Sequence, residues 1–208
     1  MGRRQVNIRS VTQPILSFVV LVLIALHSSY MPADCARADD GDLDPRFGEG
    51  GKVTTRFYPY SDNYAQAIAI QADGKVIVAG HIVKDRVNED ELLLGFGLAR
   101  YNNDGSLDAT FGGDGKVFTS DKVGFRDATA LAIQPDGKIV AAGSGLIRAG
   151  LSSVKSFAVA RYESDGGLDS TFGNGGRVLT DVDGGNFDDV TAVGVAIQRD
   201  GRIVVAGE

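Results

Sequence analysis

Residues 133–143 read IQPDGKIVAAG, and closely similar strings stand at 70–80 (IQADGKVIVAG) and at 197–207 (IQRDGRIVVAG). In each copy an Asp-Gly pair, followed by Lys or Arg, separates two apolar runs. This pattern is typical of a tight β-hairpin, because Asp accepts local backbone hydrogen bonds and Gly adopts the positive φ that closes the turn. The strings therefore predict three hairpins, whose structural turns contain Asp73, Gly74, Asp136, Gly137, Asp200 and Gly201.

Two further strings repeat in step with the hairpin. One is LDATFGGDGKV (107–117), with copies at 43–53 and 168–178, and the other is FGLARYNNDGSLD (96–108), with a copy at 157–169. A period of roughly 60 residues indicates stacked repeats rather than an ordinary globular domain. The repeats divide the chain into units 43–106, 107–167 and 168–208, of which the third is incomplete.

Each complete unit contains four short segments that resemble strands, and no stretch after residue 38 has a helical period. In the strand before each hairpin, large apolar residues alternate with small ones, as Ile68 and Ile70 do with Ala67 and Ala69. Such alternation places the large side chains on one face of a sheet and the small ones on the other. Because both faces are apolar, both are expected to be buried. The sequence predicts an all-β fold of repeated four-stranded antiparallel blades, as in a β-propeller.

The strings LDSTFGNGGRV, AIQPDGKIVAAG and FAVARYESDG resemble the delta-sixty repeat of exported bacterial proteins. The resemblance extends over about residues 43–208, with the three strings in the same order. It implies a β-propeller fold. It implies no reaction, because the family has no established activity, and it supplies no catalytic residues.

The first 38 residues have the features of an export signal. Three arginines precede an apolar run at 15–26, which is too short to span a membrane, and a small-x-small cleavage pattern follows at 36–38. We therefore expect residues 1–38 to be a signal peptide and residues 39–208 to be the propeller repeat region. The protein is then secreted, periplasmic or held at the cell surface.

The charge of the chain excludes some classes of partner. Cleavage after residue 38 removes four of the 21 Lys and Arg residues and one of the 27 Asp and Glu residues, which leaves a net charge of about −9. So negative a chain is not expected to bind nucleic acid or an anionic membrane. Cys35, the one cysteine, lies before the cleavage point, so neither a disulfide nor a thiolate metal site is expected in the mature protein.

Few residues are candidates for catalysis. The glycine-rich FGEGGK string at 47–52 lacks the Ser or Thr and the helix that a phosphate-binding loop requires. His81 is the one histidine after residue 38, and its aligned positions are Ser144 and Glu208, so we interpret it as a solvated residue at a strand end. Glu89, Asp90 and Glu91 form an acidic cluster that we interpret as a solvated loop.

The Asp-rich turns at 102–108 and 181–189 contain oxygen ligands of the kind that Ca²⁺ prefers, but neither has the spacing of a calcium loop. We therefore predict no cofactor, with structural calcium as the alternative. Arg100 and Arg161 recur at the end of the FGLARY-type segment. Each is expected to form a structural ion pair with a turn aspartate such as Asp104 or Asp165.

The sequence favours an exported, non-enzymatic propeller that binds an extracellular glycan or protein. The alternative is a propeller hydrolase or lyase that acts on glycans through loop carboxylates, with Glu89 and Glu91 as the candidates. Loops 81–94 and 145–154 differ most between the units and are the expected binding surfaces.

The three units correspond to about two and two-thirds blades, whereas closed propellers usually have four to eight. We expect the chain to be a fragment of a longer repeat protein. The alternative is that several copies assemble into a homo-oligomer, so that their blades complete a ring.

Overall fold

The computed structural model describes residues 18–21, 41–59, 61–84, 93–120, 124–149, 152–182 and 190–208. These residues form strands and turns without any helix, so none of them belongs to a helix that could cross a membrane. The strands are β1 (Phe18–Leu21), β2 (Lys52–Thr55), β3 (Asp62–Ile70), β4 (Val76–Lys84), β5 (Leu93–Tyr101), β6 (Lys116–Thr119), β7 (Phe125–Ile133), β8 (Ile139–Ala149), β9 (Ser152–Tyr162), β10 (Arg177–Thr180), β11 (Ala192–Ile197) and β12 (Ile203–Gly207).

The strands pair antiparallel in sequence order. Sheet one has the order β3-β4-β5-β6, sheet two has the order β7-β8-β9-β10, and sheet three consists of β11 and β12. A separate pair joins β1 to β2. Each four-stranded sheet takes three strands from one repeat unit and its fourth strand from the next unit. The predicted fold class is confirmed: the chain is all-β, and its four-stranded sheets are consistent with partial propeller blades.

The sheets stack face to face, with β7 against β3, β4 and β5, and β11 against β7 and β8. Leu131 and Ile133 of sheet two pack on the cluster of sheet one that contains Ala79. In the same way, Val195 and Ile197 of sheet three pack on small residues of sheet two, among them Ala130 and Ala142. The predicted packing of a large-residue face on a small-residue face is therefore confirmed at both junctions.

The outer face of sheet one departs from the expectation that both faces of a blade are buried. Ile68 is 50% exposed and Ile70 is 58% exposed. No described sheet lies over this part of β3. The segment around β2 covers only the neighbouring strand, where Phe47 and Phe57 pack against Val76 and Val78. The expectation is thus wrong for β3 in the described part of the chain.

The fourth strand of a sheet is bonded to the sheet that follows it in the stack. Tyr162 of β9 donates a hydrogen bond from Oη to Oγ1 of Thr119 in β6, at 2.8 Å, and both side chains are buried. Tyr101 of β5 donates in the same way to Thr55 of β2, also at 2.8 Å. By this contact β2 lies where the fourth strand of a sheet preceding sheet one would lie.

The strand that pairs with β2 follows the register of the complete sheets. Phe96 of β5 lies opposite Thr119, and Phe157 of β9 lies opposite Thr180. Phe18 of β1 lies opposite Thr55. Strand β1 therefore takes the place of a third strand beside β2, although it belongs to the predicted signal peptide.

The three hairpin turns share one geometry. In the first turn the amide of Gly74 donates to the carbonyl oxygen of Gln71 at 2.9 Å. The amide of Gln71 donates to the carbonyl oxygen of Lys75 at 2.8 Å. The Asp73 carboxylate accepts from the Lys75 amide at 3.1 Å. The second and third turns repeat these bonds. The φ values of Gly74, Gly137 and Gly201 are 85°, 86° and 83°.

The hairpin turns lead to a prediction about stability. Gly137→Val and Gly201→Val should each lower the free energy of unfolding by more than about 1 kcal/mol, because a β-branched residue is strained at positive φ. Steric overlap is not the reason, since a Cβ on Gly201 would meet nothing within 4 Å. Chemical denaturation measures the change.

Arg199→Val is the matched control, because position 199 is exposed and aligns with Pro135, whose ring requires a negative φ. It should change stability by less than about 0.5 kcal/mol. Equal stabilities for Gly201→Val and Arg199→Val would contradict the turn geometry.

Candidate functional site

Repeated and unrepeated segments of the chain lie at opposite ends of the sheets. The turn end contains the hairpins at 71–75, 134–138 and 198–202, together with the turns at 102–106 and 163–167. At the other end, which we call the variable end, β4 passes into β5, β6 into β7 and β8 into β9. Connections that differ between repeats are where a scaffold usually carries its function.

At the turn end, Asp108 is the centre of a network of ionic hydrogen bonds. Its Oδ2 accepts from Lys75 Nζ at 2.7 Å and from Arg100 Nε at 2.8 Å, and its Oδ1 accepts from the Thr110 hydroxyl at 2.7 Å. Burial acts to raise the pKa of Asp108, but the bonds from Lys75 and Thr110 and the charge of Arg100 outweigh it and hold the pKa far below its usual range.

Sheet two repeats this network around Asp169. Arg161 Nε lies 2.7 Å from Asp169 Oδ2 and Lys138 Nζ lies 3.0 Å from it. The pKa of Asp169 is lowered first by the hydrogen bond from the Thr171 hydroxyl and further by the bonds from Lys138 and Arg161, against the opposing effect of burial. Its side chain is 1% exposed, so the carboxylate is fully enclosed by its donors.

The structure corrects the predicted partners of the two repeated arginines. Arg100 and Arg161 do form ion pairs, but with Asp108 and Asp169 rather than with Asp104 or Asp165. Arg100 also donates from Nη1 to the carbonyl oxygen of Ser164, which lies in a turn of the next sheet. The network therefore joins sheet one to sheet two, and its role is structural.

The turn end offers little to a calcium ion. Asp104 already accepts from the amide and the hydroxyl of Ser106, at 2.9 and 2.6 Å. Asp73, Lys75 and the turn 102–104 line a shallow pocket of about 340 Å³. Among the described residues there is no group of three or more His, Cys, Asp or Glu side chains that could hold a metal ion. Residues 183–189 of the second Asp-rich turn lie outside the described ranges, and the absence of a cofactor stays a prediction.

At the variable end, a glycine at the end of each repeated string determines the path of the neighbouring strand. A Cβ on Gly80, Gly143 or Gly207 would overlap the carbonyl oxygen of the residue that precedes its pairing partner, which is Tyr64, Asp127 or Thr191, respectively. The pairing of β7 with β8 is irregular around Asp127, between the pairs formed by Phe125 and by Ala128. Because Gly143 has no side chain, β7 can approach β8 closely at this point. This approach places Asp127 at the junction of sheets one and two.

The polar junction consists of His81, Asp127 and Ser144. Asp127 Oδ1 lies 3.0 Å from His81 Nδ1 of sheet one, and Asp127 Oδ2 accepts from the Ser144 hydroxyl at 2.9 Å. The side chain of His81 is 21% exposed and that of Asp127 is 32% exposed. One carboxylate therefore bonds to side chains from both sheets, at the edge of a surface that solvent can reach.

The second nitrogen of His81, Nε2, is enclosed and lacks a hydrogen-bond partner in the described part of the chain. In the neutral imidazole, donation of a hydrogen bond from Nδ1–H to Asp127 leaves the lone pair on Nε2. The ring of Tyr64 stacks on that of His81, with centroids 6.0 Å apart and planes at 24°, and Tyr64 is 40% exposed. The interpretation of His81 as a solvated residue at a strand end is wrong.

The polar junction does not have the arrangement of a nucleophilic triad. In a triad the hydroxyl bonds to the histidine, which in turn bonds to the carboxylate. Here the Ser144 hydroxyl bonds to Asp127 instead. Glu89, Asp90 and Glu91, the candidate carboxylates of a glycan hydrolase, lie outside the described residues, as do 85–92 of the first predicted binding loop and 150–151 of the second.

Sequence reasoning missed the polar junction because its members are far apart along the chain. His81 and Asp127 belong to different units, and no repeated string contains either of them. One signal was present. The aligned position that follows the last glycine of the hairpin string carries His81, Ser144 and Glu208, so the repeat keeps a polar residue there but changes its chemistry.

Comparison with known proteins agrees with the repeat and the fold. Residues 94–111 and 134–172 match a family described as a beta-propeller domain of unknown function (DUF5122). The match supports a propeller-repeat family. The two stretches include both FGLARY-type segments, residues 134–143 of the second hairpin string and the first five residues of two LD strings. No curated protein and no solved structure matches the chain.

The pairing of His81 with Asp127 predicts an energetic coupling between sheets one and two. In a double-mutant cycle of His81→Ala and Asp127→Ala, the coupling should be about 0.5–1 kcal/mol at pH 6, the range expected for a partly exposed pair. Unfolding of the two single variants and the double variant in urea measures it. A cycle of His81→Ala with Asp136→Ala, a distant turn residue, is the control and should give no coupling.

The carboxylates of the turn end predict acid sensitivity. Since the folded state lowers the pKa of Asp108, its contribution to stability is present above the unfolded pKa of about 4 and is lost as the pH falls below that value. Asp108→Asn should therefore be destabilised at pH 7 and lose less stability than the wild type between pH 5 and pH 3. Urea unfolding at each pH tests this.

The matched control for acid sensitivity is Asp136→Asn, which changes an exposed carboxylate of a hairpin turn. The free energy of unfolding of this variant should change with pH as that of the wild type does. If Asp108→Asn loses as much stability as the wild type on acidification, the network is not the acid-sensitive element.

Proposed function

We propose that the protein is an exported, non-enzymatic propeller scaffold that binds an extracellular glycan at its variable end. The observation that carries this proposal is the polar junction: a buried imidazole nitrogen with no partner among the described residues lies beside an exposed tyrosine ring and a partly exposed carboxylate. Repeated sequence at the turn end builds the scaffold, and the variable end is left for recognition.

The chemistry of the polar junction suits a sugar. Hydroxyl groups of a sugar can donate to the partly exposed Asp127 carboxylate, and to His81 Nε2 once the side chains that cover this buried nitrogen move aside. The partly exposed ring of Tyr64 can pack against the apolar face of a pyranose, as aromatic side chains do in ligand sites. The negative charge of the chain further disfavours anionic polymers such as nucleic acids.

Export is supported by the first 38 residues, whose arginines, short apolar run and small-x-small pattern are those of a signal peptide. A location outside the cytoplasm would also bring the protein into contact with cell-surface and extracellular glycans. A non-enzymatic role agrees with the polar junction, where the Ser144 hydroxyl bonds to Asp127 rather than to His81.

A propeller hydrolase or lyase acting on glycans is the second candidate, and the contact of His81 with Asp127 is the observation that favours it. A carboxylate that orients a histidine leaves the far nitrogen able to act as a general base. Loop carboxylates such as Glu89 or Glu91 would then supply the acid. Binding without turnover separates the two candidates.

The test is a panel of immobilised glycans probed with the full chain, followed by assays for product release from every glycan that binds. Tyr64→Ala and His81→Ala should each weaken binding at least tenfold, which corresponds to about 1.4 kcal/mol. Arg202→Ala changes an exposed residue of the turn end and should bind within twofold of the wild type.

Product release that requires His81 and Glu89 would replace the first candidate with the second. Binding that is unaffected by Tyr64→Ala and His81→Ala but lost in Arg202→Ala would place recognition at the turn end and contradict the proposed site.

A further inference from the structure

We propose that the turn end of sheet one contains a further binding site, where Lys75 holds the carboxylate of a small sugar acid. The site is the pocket of about 340 Å³ that is lined by Asp73, Lys75, Asn102, Asn103 and Asp104. It lies at the opposite end of the sheets from the polar junction, so it does not rest on the glycan site proposed there.

In sheet two the equivalent place is filled by a carboxylate of the chain itself. Glu163 Oε1 accepts a hydrogen bond from Lys138 Nζ at 2.6 Å. Lys138 Nζ also lies 3.0 Å from Asp169 Oδ2, so it bridges a buried carboxylate and a partly exposed one. The bond to Glu163 is the largest of the effects that raise the pKa of Lys138. A lysine at this position of the repeat therefore holds two carboxylates at once.

In sheet one the second carboxylate is missing. Asn102 stands where sheet two has Glu163, and Lys75 stands where it has Lys138. Lys75 Nζ donates to Asp108 at 2.7 Å, which is its one bonded side chain among the described residues. An ammonium group has three hydrogens to donate, and the side chain of Lys75 is 29% exposed. Lys75 is therefore left with donors that a carboxylate from outside the chain can reach.

The side chain at position 102 bonds within its own turn instead. Asn102 Nδ2 donates to the Ser106 hydroxyl at 3.0 Å, and that hydroxyl donates to Asp104 Oδ1 at 2.6 Å. Sheet two has Gly167 in the place of Ser106, so the same bonds cannot form there. Two departures from the repeat, at positions 102 and 106, thus leave the place beside Lys75 open, and the pocket lies there.

The charges around Lys75 do not exclude a carboxylate. The nearby charged residues of sheet one are Asp73, Asp104, Asp108 and Arg100. Sheet two has the same residue types at the aligned positions, which are Asp136, Asp165, Asp169 and Arg161. In that setting Lys138 still bonds to Glu163. The same balance of charges therefore accepts a carboxylate beside Lys75.

The lining of the pocket favours an acid that also carries hydroxyl groups. The amides of Asn102 and Asn103 offer donors and acceptors to hydroxyl groups, and Asp73 and Asp104 offer further acceptors. The volume lies near the lower end of the range of ligand sites, roughly 300–1,000 Å³, so it suits a single sugar unit. The negative charge of the whole chain disfavours a long polyanion. A sugar acid with one carboxylate matches these three properties.

The test is a titration of the full chain with D-galacturonate at constant ionic strength, with D-galactose as the neutral analogue. The NMR signals of the side-chain amides of Asn102 and Asn103 report the site, and calorimetry gives the number of ligands bound. The wild type should bind one galacturonate saturably, and galactose should bind at least tenfold more weakly.

Two variants exchange the residues of sheets one and two. Asn102→Glu supplies the carboxylate that sheet two has, so it should weaken galacturonate binding at least tenfold while the protein unfolds at the wild-type temperature or above. Glu163→Asn removes that carboxylate beside Lys138 and should create a second site, so that two galacturonates bind per chain. Asn174→Glu is the matched control, since it adds the same charge at an exposed turn position where the first unit has Glu49. It should bind within about twofold of the wild type.

His81→Ala separates this site from the polar junction and should leave galacturonate binding unchanged. A wild type without saturable binding, equal binding of galactose and galacturonate, or unchanged affinity in Asn102→Glu would each overturn the proposal. So would a single site in Glu163→Asn, or loss of galacturonate binding in His81→Ala.

Discussion

The packing of a large-residue face on a small-residue face holds this stack of sheets together. Within a sheet, hydrogen bonds fix the order and register of the strands but bury neither face. The core forms only when Leu131 and Ile133 of one sheet meet the alanines of the sheet before it, and this contact recurs at the next junction. The buried side chains of Phe96, Phe111 and Phe125 fill the space between the sheets. Removal of apolar surface from water at these junctions is the main source of stability.

Two polar features depend on this packing. At the turn end, Lys75, Arg100 and Thr110 of sheet one balance the charge of the Asp108 carboxylate with short hydrogen bonds, and the stacking lets Arg100 also donate to the carbonyl oxygen of Ser164 in sheet two. At the variable end, the same stacking brings His81 against Asp127. The first feature recurs with each complete sheet. The second occurs once in the described residues, because the aligned positions carry different side chains.

Local signals in the sequence predicted the parts of the fold that local chemistry determines. Asp136 and Gly137 predict a turn without reference to any distant residue, and the alternation around Ile133 predicts which face is large. The partner of Arg161 was predicted incorrectly, because Asp165 is nearer along the chain while the approach of Asp169 depends on how the strand returns after the turn. The contact of His81 with Asp127 could not be predicted, since it depends on the stacking of two sheets and on the close approach that Gly143 allows.

The position of the sheet boundaries relative to the repeat boundaries has a consequence for how the protein loses structure. Each repeat unit gives its first strand to the sheet before it, so β6 belongs to unit two in sequence and to sheet one in space. A unit that unfolds therefore takes away the edge strand of its neighbour and, with Thr119, the hydrogen bond that anchors Tyr162. Adjacent repeats are interlocked rather than merely stacked. Loss of order should then spread from one repeat to the next. A cut in the chain between β6 and β7 would leave the strands of each sheet together. A cut at the boundary of two repeat units would separate β6 from the other strands of sheet one.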